Sequence, residues 1–222
     1  MERVEDLLLE ILKIYQDDEL YCFTSDAVLL THFARVKNGE VVADFCSGSG
    51  IVGLHLYGLN KDKIKSVTLF ELQENLYNLS RKSIALNNLE DVFTAKNCKV
   101  QEIGSEYNGK FSYIVCNPPY QKSKSGLSKE RREIAICHEE LELTLKELVV
   151  AISKALKYGG KMAMVHRADR LVDIVCEMRS NNIEPKRIQF VFSGKNTEPY
   201  LVLIEGTKGG KSGLKIEKSI KN

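Results

Sequence analysis

Val41-Val42-Ala43-Asp44-Phe45-Cys46-Ser47-Gly48-Ser49-Gly50 reads as a buried strand running into a glycine turn that opens a helix. The apolar run 41–45 is too short for a helix and suits a strand covered on both faces. Residues 50–57 then take up helical spacing. The same alternation continues outward. Strands are expected at 66–70, 92–95, 113–116 and 161–165, and helices at 74–86, 141–156 and 169–179. The long helix 141–156 is expected to stop at Gly159-Gly160. Residues 188–192 and 200–204 read as a terminal hairpin closing one sheet edge. Strand–helix alternation of this kind predicts an α/β, Rossmann-like fold. Its sheet is mostly parallel and seven-stranded, with an antiparallel C-terminal hairpin and helices on both faces. Ahead of it, apolar positions at 4, 7, 8, 11, 12 and 14 read as one helix, and 23–36 as another.

A second stretch carries the chemistry. Asn117-Pro118-Pro119-Tyr120 follows the apolar run 113–116. Proline fixes φ and removes a backbone donor, so the pair ends the strand in a stiff turn. In open α/β sheets that edge is where ligands bind. A planar base with an exocyclic amine can stack on Tyr120. The Asn117 side-chain carbonyl and the Pro118 backbone carbonyl can accept its two N–H bonds. Two such acceptors free the amine's lone pair for attack without a general base. An ordinary strand-ending turn with a surface tyrosine is the plainer alternative.

The glycine turn supplies the partner site. Gly48 and Gly50 let the backbone approach a ligand closely. The turn is read as separate from the dinucleotide fingerprint, on the spacing after Gly50. It is not a P-loop, which needs Gly-Lys-Ser/Thr. The next strand ends at Glu71, where an acid can accept both ribose hydroxyl protons of a nucleoside. Asp44, Gly48, Gly50 and Glu71 together are more specific than any one of them. A nucleoside site beside an amine-presenting turn is the architecture of a methyltransferase using S-adenosylmethionine, in which the protein mainly aligns nitrogen, methyl carbon and sulfur.

Composition and charge narrow the setting. The chain has 222 residues, 43% hydrophobic and 28% charged, which suits a globular core rather than wholesale disorder. Its six cysteines form no Cys-x-x-Cys pair, so neither a zinc site nor a disulfide framework is expected, and a reducing cytoplasm fits. No apolar run approaches membrane-spanning length, and the acidic start lacks a signal-peptide pattern. The net charge of +2 is unevenly spread. Residues 121–133 carry Lys122, Lys124, Lys129, Arg131 and Arg132 against Glu130 and Glu133. Residues 206–222 carry five lysines against Glu217. Two basic segments around an acidic body suit a polyanionic partner, although solvated surface segments look the same on charge alone.

With these residues in hand, the chain resembles the bacterial tRNA(Val) adenine-N6 methyltransferases that modify position 37, beside the anticodon. The resemblance runs through Phe23-Thr24-Ser25-Asp26-Ala27-Val28-Leu29-Leu30, the loop at 44–50 and Asn117-Pro118-Pro119-Tyr120. It continues in Glu133-Ile134-Ala135, His138-Glu139, Val165-His166-Arg167 and the lysine-rich stretch at 208–215. It implies Asn117, Pro118, Pro119 and Tyr120 as catalytic residues. Asp44, Cys46, Gly48, Gly50, Glu71, Asn97 and Asn117 become candidate S-adenosylmethionine contacts. Lys122, Lys124, Arg131, Arg132, Arg167, Lys208, Lys211 and Lys215 become candidate tRNA contacts. No metal, membrane or obligate protein partner is implied.

Three positions depart from the family pattern. Asn97 or Cys98 stands where an Asp is usual, and the amide of Asn97 is the better adenine partner. Ser112 replaces an Asp, and Cys137 replaces an Arg. Asp26 reads equally as a helix cap or as part of a lid, and His138-Glu139 as a helix start. The implied organisation is an N-terminal helical lid segment at 1–37, a methyltransferase domain at 38–205 and a basic flexible tail at 206–222. The alternatives are an N5-glutamine methyltransferase acting on a release factor and a non-catalytic RNA-binding scaffold. The first is disfavoured because only 43 residues precede Asp44, where such enzymes carry a helical domain.

Overall fold

The computed structural model describes residues 1–7, 12–20, 25–119, 143–194 and 197–222. It begins with an antiparallel hairpin, β1 (Glu2–Asp6) and β2 (Lys13–Asp17), followed by α1 (Ser25–Phe33). Strands and helices then alternate through β3 (Glu40–Phe45), α2 (Ile51–Leu59), β4 (Ile64–Glu71), α3 (Glu74–Leu86) and β5 (Phe93–Asn97). After two 3-10 turns come β6 (Phe111–Cys116), α4 (Leu145–Ala155), β7 (Leu156–Arg167) and α5 (Leu171–Ser180). The chain closes with β8 (Ile183–Phe192), β9 (Pro199–Lys208), β10 (Lys215–Ile216) and β11 (Ile220–Lys221).

The main sheet runs β10-β8-β9-β7-β6-β3-β4-β5, with β11 also on β8. Strands β5, β4, β3, β6 and β7 are parallel, and β9 is antiparallel to both β7 and β8. The expected seven strands and terminal hairpin are therefore present, and β10 and β11 add two short strands.

Alternation along each strand splits the core into two layers, as period-two side chains require. Val42, Val67, Leu69, Tyr113, Val115 and Val165 pack with α1, α2 and β2. Their neighbours Ala43, Phe45, Phe70, Ile114, Cys116 and Met164 pack with α4 and α5. Every residue of β6 is buried, which places the strand that precedes Asn117 at the centre of the fold.

Three expectations are corrected. Where a helix was expected across the first fifteen residues, the described part forms the hairpin. Ile14 and Gln16 are buried while Lys13 faces solvent, a period-two pattern that the longer apolar spacing concealed. The helix expected to stop at Gly159-Gly160 ends at Ala155, and both glycines lie inside β7. They mark an irregularity in the β6–β7 register, and a Cβ on Gly160 would lie 2.8 Å from the Lys157 carbonyl oxygen. Within its described part, the helix begins after Thr144, whose capping box with Glu147 is complete.

The segment expected to be a mobile tail is built into the sheet edge. Glu217 N donates to Ile188 O at 2.8 Å and Asn222 N to Phe192 O at 2.9 Å. The Asn222 amide also donates to Ser25 Oγ and Tyr200 Oη. Beneath this edge Glu205, 1% exposed, accepts from Tyr113 Oη at 2.7 Å and from Arg187 Nε at 3.1 Å. Arg187 also donates to the Phe33 carbonyl at the end of α1.

Candidate active site

The carboxyl ends of four adjacent parallel strands converge on one edge. β3 delivers Asp44 and the turn Cys46-Ser47-Gly48-Ser49-Gly50, β4 delivers Glu71, β5 delivers Asn97, and β6 delivers Asn117, Pro118 and Pro119. The register sets Phe45 opposite both Phe70 and Cys116, so the turn lies between Glu71 and Asn117.

The turn is unusual backbone. Cys46, Gly48 and Gly50 all have positive φ, at 59°, 56° and 92°. For Cys46 that is a costly conformation held by its surroundings, the kind that gathers at ligand sites. The Ser47 amide is pinned to Phe70 O at 3.0 Å and Gly50 N to Ser47 O at 2.8 Å. Gly53 follows Gly50 after two residues, so the loop does carry the Gly-x-Gly-x-x-Gly spacing, which corrects the distinction drawn from sequence. Its third glycine packs the helix on the sheet: a Cβ at Gly53 would sit 2.5 Å from Leu69 Cδ2.

Glu71 joins the two strands. Its Oε2 accepts from Gly48 N and its Oε1 from Gln73 N, both at 2.8 Å. The Leu72 amide also bears on the carboxylate, which has about four lone-pair directions in all. Burial raises its carboxyl above the ordinary value, and the amides of Gln73 and Gly48 pull it back. Asp44 is fully buried, and burial pushes it up to about 8, with the neighbouring Glu71 charge adding to the rise. One Asp44 oxygen accepts from Gly53 N at 2.8 Å. Asn97, an exposed residue, spends its amide hydrogens on the Glu71 and Leu72 carbonyls, which fixes the backbone behind Glu71.

Three buried side-chain atoms find no hydrogen-bond partner among the described residues: Asp44 Oδ1, Ser47 Oγ and Asn117 Oδ1. Buried polar groups are rarely left so. All three stand at the ends of the neighbouring strands β3 and β6, where a ligand's polar groups would satisfy them: a donor for Asn117 Oδ1, an acceptor for the protonated Asp44 carboxyl, and either for the Ser47 hydroxyl.

The remaining candidates divide. Tyr120, Lys122, Lys124, Arg131 and Arg132 lie outside the described residues, as do His138, Glu139 and Cys137. Arg167 ends β7 on the same edge and is ion-paired with Asp169. His166 beside it is buried, held near 4 by that burial, and accepts from Arg167 N at 2.9 Å. Lys208 and Lys211 are not brought to this edge. The β9 register sets Lys208 opposite Ile183, at the far end of the sheet, and its ammonium donates to the Leu156 and Ser153 carbonyls beneath α4. Lys215 lies midway and pairs with Glu217. Sequence reasoning missed Gln16 and Ser49, which meet at the glycine turn. No motif marks either residue.

Comparison with known proteins bears on the family and the fold. Residues 24–173 match the family model described as methyltransferase small domain. A protein of Shewanella sp. (strain W3-18-1), named tRNA1(Val) (adenine(37)-N6)-methyltransferase, is 27% identical over 158 residues. The match covers 69% of this chain and 64% of that protein, so the chain spans just under two thirds of that relative's length. A protein of the same name from Shewanella sediminis is 22% identical over 85% of this chain and 78% of its own. Among solved structures, a predicted O-methyltransferase from Agrobacterium tumefaciens superposes with a TM-score of 0.68 at 16% identity, covering 88% of this chain and 86% of that one. TYW2 of M. jannaschii, solved in complex with AdoMet, gives 0.62 at 13% identity, covering 93% and 85%.

Proposed function

The chain belongs to the methyltransferase small domain family, and from that premise we propose that it methylates N6 of an adenine in tRNA, at position 37 of the anticodon loop of tRNA(Val). The observation that carries the reading is Asn117 Oδ1, a buried acceptor without a partner among the described residues, one strand away from the Glu71–Gly48 cradle. An exocyclic amine is the donor it lacks.

S-adenosylmethionine, when bound, supplies an electrophilic methyl group on a sulfonium. Glu71 accepts the ribose hydroxyls at its carboxylate. The positive-φ turn at Gly48 and Gly50 lets backbone approach the cofactor without a Cβ between them. Asn117 Oδ1 and the Pro118 carbonyl accept the two N–H bonds of the adenine amine and aim its lone pair toward the cofactor. Tyr120 stacks the base, a contact worth about 1–3 kcal/mol in other proteins that grip unpaired bases. An anticodon-loop adenine is already unpaired, so presenting it costs less than flipping a duplex base. Lys122, Lys124, Arg131 and Arg132 follow the turn directly in sequence and supply positive charge for the phosphates.

The test uses purified protein, radiolabelled S-adenosylmethionine and unmodified tRNA(Val) transcript, with an adenine-to-guanine change at position 37 as control. Label recovered as N6-methyladenosine on the unaltered transcript alone is the expected result. Label on a release-factor glutamine instead, or equal label on both transcripts, would overturn the assignment.

A further inference from the structure

We propose that Gln16 is a positioning residue for the cofactor loop, and that through it the N-terminal hairpin forms part of the cofactor site. The proposal rests on the cofactor half of the reading above and not on the identity of the methyl acceptor.

The loop needs restraint from outside, because three of its five residues hold positive φ. Ser47 and Gly48 are restrained from the β4 side, by Phe70 O and the Glu71 carboxylate. Gly50 is restrained within the turn. Ser49, between the two glycines, is tied from the other direction. Gln16 Nε2 donates to Ser49 Oγ at 2.5 Å, and the two residues are 1% and 4% exposed. The same amide also donates to Tyr15 O at 3.2 Å, which fixes its orientation.

Gln16 is itself mounted on a rigid element. β2 is bound along α3: Tyr15 N donates to Ser83 Oγ at 2.9 Å and Lys13 N to Asn87 Oδ1 at 2.9 Å. Asn87 Nδ2 returns a bond to Lys13 O at 2.7 Å. Ile14 is fully buried in the layer shared with α1 and α2. Helix α3 starts three residues after Glu71, so the ribose acid and the Gln16 prop share one support. The two sides of the loop are thereby fixed relative to each other across a gap of more than fifty residues in sequence. By reciprocity of binding free energies, a hairpin that tightens the cofactor site must itself be tightened by the cofactor, by the same factor.

The test measures S-adenosylhomocysteine affinity by calorimetry for wild type, Gln16→Met, Ser49→Ala and the double variant. Met conserves the buried volume and removes only the amide. Each single change is expected to weaken binding about tenfold, the fold-change of one buried hydrogen bond lost with its partner stranded. The double variant should be no weaker than the worse single variant. Hydrogen exchange of the 44–54 backbone in ligand-free protein should quicken in Gln16→Met. Unchanged affinity with a lowered melting temperature would make Gln16 purely structural and overturn the proposal, as would losses that multiply in the double variant. Wild-type protein that fails to bind would instead sink the cofactor reading, and unchanged exchange in Gln16→Met would independently show that the loop is held without it.

Discussion

Replacing Asn117 by alanine should separate activity from stability, with opposite signs. In the ligand-free protein Asn117 Oδ1 is buried with no partner among the described residues. An unsatisfied buried acceptor costs about 1–3 kcal/mol. Removing it relieves that cost and gives up a little packing from a half-buried side chain, for a net gain of roughly 1 kcal/mol. In a protein of this size that raises the melting temperature by about 2–4 °C. The same oxygen is the acceptor for the reacting amine, and removing one preorganised polar group from such a site lowers the rate by about 100-fold or more. Single-turnover methylation of tRNA(Val) transcript at saturating S-adenosylmethionine isolates the chemical step from binding and release. Asn117→Asp, which keeps an acceptor in place, should fall between alanine and wild type in rate. A melting temperature several degrees lower with the rate intact would refute both halves of the reasoning, because it would mean that the oxygen is satisfied within the fold and plays no part in catalysis.

Asp44→Asn should change the pH dependence of stability. Burial raises the Asp44 carboxyl from its ordinary 3.8 to about 8, so the folded protein keeps a proton that the unfolded chain releases within that window. Stability from this group therefore falls as pH rises from about 4 to about 8, and the melting-temperature advantage of Asp44→Asn should grow over the same range; an advantage that shrank with rising pH would contradict the sign. Arg187→Met leaves Glu205 buried with Tyr113 and Lys161 as its remaining side-chain partners among the described residues, and loss of one partner of a buried pair costs about 3–5 kcal/mol. Its melting temperature should drop by roughly 10 °C, and Arg187→Met with Glu205→Gln should recover most of that drop; no recovery would place the defect in packing. Truncation after Gly213 removes β10, β11 and the Asn222 contacts, and thermal melting should show a loss of several degrees, whereas a free tail would leave the melting temperature unchanged.

The sequence exposes what is periodic and what is punctuated. Glu74–Leu86 matches the helix read from spacing residue for residue, because its buried Leu76, Leu79, Ser80, Ser83 and Ile84 face one layer with no competing signal. The central strands were equally plain, since both faces of β6 are apolar. Asp44, Glu71 and Asn117 fall at strand ends, so finding the strands places these residues at one edge. Failures came where tertiary partners decide local structure. Lys13–Asp17 pairs with Glu2–Asp6, and its other edge bonds to Ser83 and Asn87, about seventy residues away, partners that the local apolar spacing does not show. Gly159-Gly160 looks like a helix stop, yet the space between β6 and β7 needs a residue without a side chain. The lysine-rich end reads as solvated chain, but Glu217 meets Arg35 and Arg187 and so brings the segment back to β8.

Of these pieces, the hairpin and the C-terminal segment both pack on the layer of α1 and α2. α1 is held at its C-terminal end by Arg187 on the Phe33 carbonyl, and at its N-terminal end by the Asn222 amide on Ser25. The hairpin holds Ser49 from α3. The central strands alone would place Asp44, Glu71 and Asn117 at one edge, but they would leave the positive-φ turn between them restrained from one side only. The unsatisfied oxygens of Asp44, Ser47 and Asn117 bear on why such bracing is present. A site that keeps buried polar atoms unpaired among the described residues stores desolvation cost in its ligand-free state, and a loose loop would relax to cancel it. Rigid support on both sides keeps those atoms available for a ligand's polar groups. Changes at Arg187 or Asn222 should therefore act on catalysis only through stability, whereas changes at Gln16 should act on the loop itself.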